Sequence, residues 1–206
     1  MIEYISTHAQ ALNVLFNGTM VLIWTLYFQV FLVNHLRQGR NMIHIDLGAA
    51  QGARSRCLVT NLSSNAVYVQ AIIADLSSNG ATSRTRITDR EEIPLDETKD
   101  PLARTNRGTL HTGQTVDIGS LEDLVSRAQI RLHEHWSADS IDTVTITVVA
   151  ISGQIDRIVA ASKSFDSEHL DDGGSVFTAK NILTHQIRPR QTREEFSQML
   201  RDQKFG

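Results

Sequence analysis

The chain has 206 residues, with 20 basic and 23 acidic side chains, a net charge of −3 and a single cysteine. That balance argues against a nucleic-acid surface, because holding a phosphate backbone rests on clustered cations. One cysteine cannot close an intramolecular disulfide, which excludes a disulfide-stapled fold.

The first predicted element is the run from Ala11 to Val33, ALNVLFNGTMVLIWTLYFQVFLV, which carries no charge. As a helix it would be about 35 Å long, enough to cross a hydrocarbon layer of about 30 Å with some tilt. Between Met20 and Val33 apolar residues point to every side, whereas a helix lying flat on a membrane needs a polar face. A cleaved signal peptide fits poorly. The leader MIEYISTHAQ carries Glu3 and no Lys or Arg, and the run passes into NHLRQGRN without a small-residue cleavage site. The sequence therefore predicts a short extracytoplasmic leader over 1–10, a retained transmembrane helix over 11–36 and a basic juxtamembrane segment over 37–41. Arg37, Arg40, Arg54 and Arg56 all follow the helix and no basic residue precedes it, so the expected topology in the cell (inner) membrane is single-pass, N-terminus outside and C-terminal domain cytoplasmic. The unpaired Cys57 agrees with a reducing compartment.

Alternating steps of three and four along this helix place Leu15, Gly18, Leu22, Thr25, Gln29, Leu32 and Leu36 on one narrow stripe. Gly18 admits a close neighbouring backbone, while Thr25 and Gln29 can hydrogen-bond to another helix. Gly18, Leu22, Thr25 and Gln29 are thus the expected packing positions toward identical copies or a larger integral membrane protein.

Beyond residue 41 the rhythm changes to period two. Met42–Leu47, Ser55–Asn61, Val67–Leu76, Thr82–Ile87, Gln114–Ile118, Ile141–Ile151, Ile155–Ser162 and Ser175–Asn181 alternate or are rich in β-branched residues, and turn formers such as Ser77-Ser-Asn-Gly80 separate them. Seven or eight short strands over 42–185 predict an antiparallel β-sandwich of immunoglobulin-like character. One short internal helix is expected after Ser120, with Leu121, Leu124, Val125 and Ala128 on its apolar face. The stretch Thr88–Gly113 is charged and broken by Pro94 and Pro101, so it is expected to be a long, mostly irregular loop. Over 186–206, Thr192 and Glu195 form a capping box for a short C-terminal amphipathic helix. Arg188, Arg190, Phe196, Met199 and Leu200 are its candidate docking residues.

Chemistry-bearing constellations are sparse. His133 and His135 fall on one side of an extended segment and are the best candidates for two metal ligands, without a motif to supply the others. Asp171-Asp172-Gly173-Gly174 lacks the periodic donors of a calcium loop, and Gly48-Ala-Ala-Gln-Gly52 lacks the Gly-Lys-Ser/Thr ending of a phosphate loop. No nucleophile elbow or cysteine-based signature occurs. The sequence thus predicts a mainly β protein on one membrane helix that needs no cofactor and serves as a non-catalytic accessory or assembly subunit. Its rivals are a homo-oligomeric pore or sensor, and an enzyme or metal-binding domain of unfamiliar class.

Overall fold

Period-two alternation becomes β-strand almost wherever it occurs. The computed structural model describes residues 8–38, 41–48, 55–90, 101–132, 140–153, 157–169, 175–187, 194–196 and 198, and the chain divides into two units, Met1–Arg40 and Asn41–Gly206.

The first unit is one long helix, α1 (Ala9–Gln38), of 30 residues. Its apolar side chains lie open, from Val14 at 73 % exposure to Val33 at 42 %. Most of the leader lies outside the described residues, as do Arg40 and the side chain of Arg37.

The second unit is mainly β, and all sheet pairing among its described residues is antiparallel. Strands β1 (Ile43–Gly48), β2 (Arg56–Asn61) and β6 (Thr115–Ser120) form a three-stranded sheet in the order β1-β2-β6. The larger sheet runs β10 (His185–Ile187), β8 (Arg157–His169), β7 (Thr143–Ser152), β3 (Val67–Ser78), β4 (Ala81–Arg86), with β5 (Gly108–Leu110) on β3 and β9 (Ser175–Ala179) on β8. The β3–β4 hairpin closes through Asn79 and Gly80, both at positive φ, the pairing that lets a two-residue turn follow the strand twist.

One apolar cluster joins the two sheets. Ile43, Ile45, Cys57 and Val59 come from the small sheet, and Ile72, Leu76, Val144, Ile146 and Phe165 from the large one. A bulge in β3 makes this possible. Val69 pairs Ala150 and Ala71 pairs Val149, so Gln70 is an extra residue, and the strand changes phase. Val67 and Val69 before the bulge, and Ile72, Ala74 and Leu76 after it, all reach the same cluster. A second irregularity, at Ile118 in β6, likewise delivers that side chain to the core.

Helix α2 (Leu121–Leu132) lays Leu121, Leu124, Val125 and Ala128 on this core, as its spacing predicts. Its start is a reciprocal cap: the Asp123 N–H donates to Ser120 Oγ at 3.0 Å, and the Ser120 N–H donates to Asp123 Oδ2 at 3.1 Å.

Several features depart from the sequence reading. The described parts of Thr88–Gly113 are tied down: Asp89 bridges Thr105, the Arg90 N–H donates to the Arg104 carbonyl at 2.7 Å, and β5 pairs β3. Thr88 Oγ1 both accepts from the Ile72 N–H, at 2.9 Å, and donates to its carbonyl, which anchors the first residue of this stretch to β3. Strand β8 continues to His169, and Gln186 and Ile187, expected in the tail, belong to the last strand. Short glycine-flanked or polar strands such as β5 and β10 carry too little periodicity to be read locally.

Asn61 sits at the corner where β2 leaves the small sheet. It is fully buried, and its amide donates to the carbonyls of Asn65 and Leu110 at 2.8 and 2.9 Å while its Oδ1 accepts from the Ser63 N–H. Replacing it with Ala would orphan two carbonyls and one N–H in the interior, so Asn61→Ala is expected to cost about 2–4 kcal/mol in chemical denaturation. A loss below about 0.5 kcal/mol would show that the corner does not depend on it.

Candidate functional site

The apolar surface of α1 is the largest exposed apolar feature among the described residues. Its window Ala9–Asn34 spans 26 residues, with a mean hydropathy of 1.5 and none of its residues buried. A core helix of a water-soluble protein would bury such a window; this one is open on every side and is long and apolar enough to cross a membrane. The packing positions are set along it as expected of a regular helix. A Cβ added at Gly18 would meet nothing within 4 Å, which leaves the backbone open to a close neighbour. Thr25 behaves differently from the sequence expectation, since its hydroxyl donates to the Val21 carbonyl of its own helix at 2.7 Å. Thr19 does the same toward Leu15. A threonine satisfied this way needs no neighbour, so the polar demand of the stripe concentrates on Gln29. Trp24 and Tyr27 meet edge to face at a centroid separation of 6.3 Å.

On the β unit, His133, His135, Arg188, Arg190, Met199 and Leu200 lie outside the described residues, as does the Asp171–Gly174 turn. Among the described residues no three His, Cys, Asp or Glu side chains gather as a metal site. Phe196 is committed within its own unit. It is 4 % exposed, packs with Ala71, Ile73, Val149 and Ala160 on the outer face of the large sheet, and lies 5.9 Å beneath the Arg84 guanidinium. Arg84 is itself gripped by the two oxygens of Asp75, a fork that holds its plane over the ring. Cys57 is buried, and burial foremost, reinforced by the Asp117 carboxylate, pushes its thiol up to about 12. It is a neutral packing group, without the thiolate that nucleophilic chemistry needs.

The edge where β1 approaches β8 and β10 holds a group that the sequence reading passed over. Lys163 lies on β8 between Ala161 and Phe165, so alternation turns it toward the interior, and its side chain is only 2 % exposed. Its ammonium donates to Asp46 Oδ1 on β1 at 2.8 Å and to the Ile182 carbonyl at 3.3 Å. Extending the period-two pattern past Ser162 would have found it. Thr184 and Gln186 serve the same edge. The Ile45 N–H donates to Thr184 Oγ1 at 2.8 Å, and that hydroxyl donates to the Ile45 carbonyl. Gln186 Nε2 donates to the Ile43 carbonyl at 2.6 Å and its Oε1 accepts from the Ile43 N–H at 3.2 Å. Side chains thus occupy the β1 edge that another chain would otherwise pair with.

Burial would raise the Asp46 carboxyl, but the Lys163 hydrogen bond, the Leu47 N–H and the charges of Lys163 and His44 together hold it below its ordinary 3.8. A carboxyl lowered by folding adds stability that is whole above its unfolded value and is lost as the pH falls through the folded one. Acid unfolding of the β unit should therefore set in below about pH 4, and Asp46→Asn should flatten that acid limb. At neutral pH Asp46→Asn is expected to cost about 1–3 kcal/mol, less than a wholly buried pair because Asp46 is half exposed, whereas Lys163→Met should be near neutral. Equal costs for the two variants would contradict this account of the edge. Compared with protein-family models, with curated proteins and with solved structures, the chain finds no match in any of the three.

Proposed function

We propose that the chain is a single-pass membrane protein, with its N-terminus outside and the Asn41–Gly206 unit in the cytoplasm, that works as a non-catalytic accessory or assembly subunit. The observation that carries this reading is the uncovered apolar surface of α1, which matches lipid in length and composition and leaves no polar face for water. Orientation rests on the basic residues Arg37, Arg40, Arg54 and Arg56 after the helix and none before it. Lateral partners are engaged by the Gly18, Leu22, Thr25 and Gln29 stripe, with Gln29 supplying the polar contact and Gly18 the close approach.

The cytoplasmic unit is the docking body. Its immunoglobulin-like reading rests on two antiparallel sheets that close on one core, and helix α2 and the β3 bulge are elaborations of that plan. Ile182 and Leu183, next to each other before β10, are 87 % and 74 % exposed and offer an apolar tip for a partner protein. A helix held in the bilayer raises the effective concentration of this second contact, so each surface can be weak alone.

The chain should remain in the membrane pellet after alkaline carbonate washing. Gln29→Leu should reduce cross-linking of the membrane-embedded protein to its neighbours by about tenfold if one interhelical hydrogen bond of about 1–2 kcal/mol is lost. Extraction by carbonate would overturn the membrane reading. Unchanged cross-linking would remove the stripe from it, and closed rings of this chain alone with a conductance would replace the accessory role with a pore.

A further inference from the structure

The outer face of the large sheet is covered over only part of its apolar area. Ala71, Val149 and Ala160 stand in register across β3, β7 and β8, and this row, with Ile73, packs against Phe196. The next row along the strands is Tyr68, Ile151 and Ile158, also in register. Alternation puts it on the same face. Ile151 and Ile158 stand two positions from Val149 and Ala160, and the bulge at Gln70 keeps Tyr68 outside while Val67 and Val69 reach the inner core. Tyr68 is 42 % and Ile151 37 % exposed, and Ile158 is partly buried. An apolar strip therefore continues past Phe196 by one row, about 7 Å further along the strands.

The segment that carries Phe196 has the periodicity to reach that row. Glu194, Glu195, Phe196 and Gln198 are helical, and of these only Phe196 is buried, so one side of the turn faces the sheet. On a helix set that way, the positions three and four after Phe196 share its face, and they are Met199 and Leu200. They follow it by about 4.5 and 6 Å of rise, close to the spacing between the two rows. We propose that residues 197–206 act as an intramolecular strap, in which Met199 and Leu200 continue the Phe196 contact and cover the row of Tyr68, Ile151 and Ile158. The occupant is this chain's own segment because Phe196, held under the Arg84 guanidinium, delivers it to the edge of the row, where its effective concentration exceeds that of a free partner. The strap belongs to the β unit alone, whether or not α1 lies in a membrane.

The test uses the full chain in neutral detergent with Ile151→Cys and Met199→Cys combined, coupled by a short bifunctional maleimide and read by mass spectrometry of the digested protein. Cys57 is buried and stays in place, with each single-cysteine variant as its control. The pair should join within one chain, with a yield that does not change on dilution. Ile151→Cys with Gln198→Cys, from the exposed side of the helix, should join far less. In thermal unfolding Leu200→Asp should lower the midpoint of the β unit by about 4–8 °C, and Ile151→Ala should cost less in that background than in the parent. Gln198→Asp should leave the midpoint in place. Joining only between chains, with a yield that falls on dilution, would put a second copy on the row and overturn the strap. Equal joining from positions 199 and 198, or additive effects of Leu200→Asp and Ile151→Ala, would overturn it as well, because a helix end free in solvent gives both.

Discussion

Apolar surface must leave water, and the two units of this chain meet that demand in opposite ways. In the β unit most of the apolar surface of the central strands finds cover, with Tyr68 and Ile151 left partly open. The inner face of β3, β7 and β8 is closed by the small sheet and by α2, and the apolar end of the outer face by Phe196. Helix α1 has apolar side chains on all sides and no cover among the described residues. Burying a single Leu, Val or Phe is worth about 1.5–3 kcal/mol, so a surface of this size governs where the protein can reside more strongly than any polar contact elsewhere. The proposed membrane role follows from that imbalance.

Polar groups then decide how the β unit is joined. The β1 edge is not sealed by another strand but by the side chains of Thr184 and Gln186, which reproduce backbone hydrogen bonds and tie the small sheet to the last strand region of the large one. Lys163 and Asp46 add a charged link across the same seam, and Asn61 satisfies three backbone groups at the corner between sheets. These contacts are directional, and they fix how the two layers meet where apolar packing alone would allow sliding. They also occupy an edge that would otherwise favour association through strand pairing. The proposed docking then falls to the exposed apolar tip of Ile182 and Leu183 and to the helix.

Charge is distributed unevenly over the same frame. Arg56 is matched by Asp117 and Arg84 by Asp75, each guanidinium answered by a carboxylate at hydrogen-bond distance. Asp89 stands 3.8 Å from Arg107 Nη2 and 3.9 Å from Arg131 Nη2, so it joins a loop to helix α2.

Local pattern was enough for the single apolar helix, for most strands and for the start of α2. Each rests on neighbours in the chain: charge-free length, alternation in β3 and β7, and the Ser120–Asp123 cap. What alternation could not assign was which strands share a sheet, because pairing such as β3 with β7 joins residues more than sixty positions apart. Nor could it foresee the bulge at Gln70, which rescues a broken rhythm by shifting phase. Lys163 falls just past the strand predicted to end at Ser162 and is an interior ion. Phe196 read as a docking face and became internal cover. The approach of Arg107 and Arg131 to Asp89 was invisible for the same reason: they come from a loop and a helix, and only folding brings them to one carboxylate. Composition and periodicity act over a few residues, whereas layer pairing, edge closure and charge clustering depend on contacts that exist only once the chain has turned back on itself.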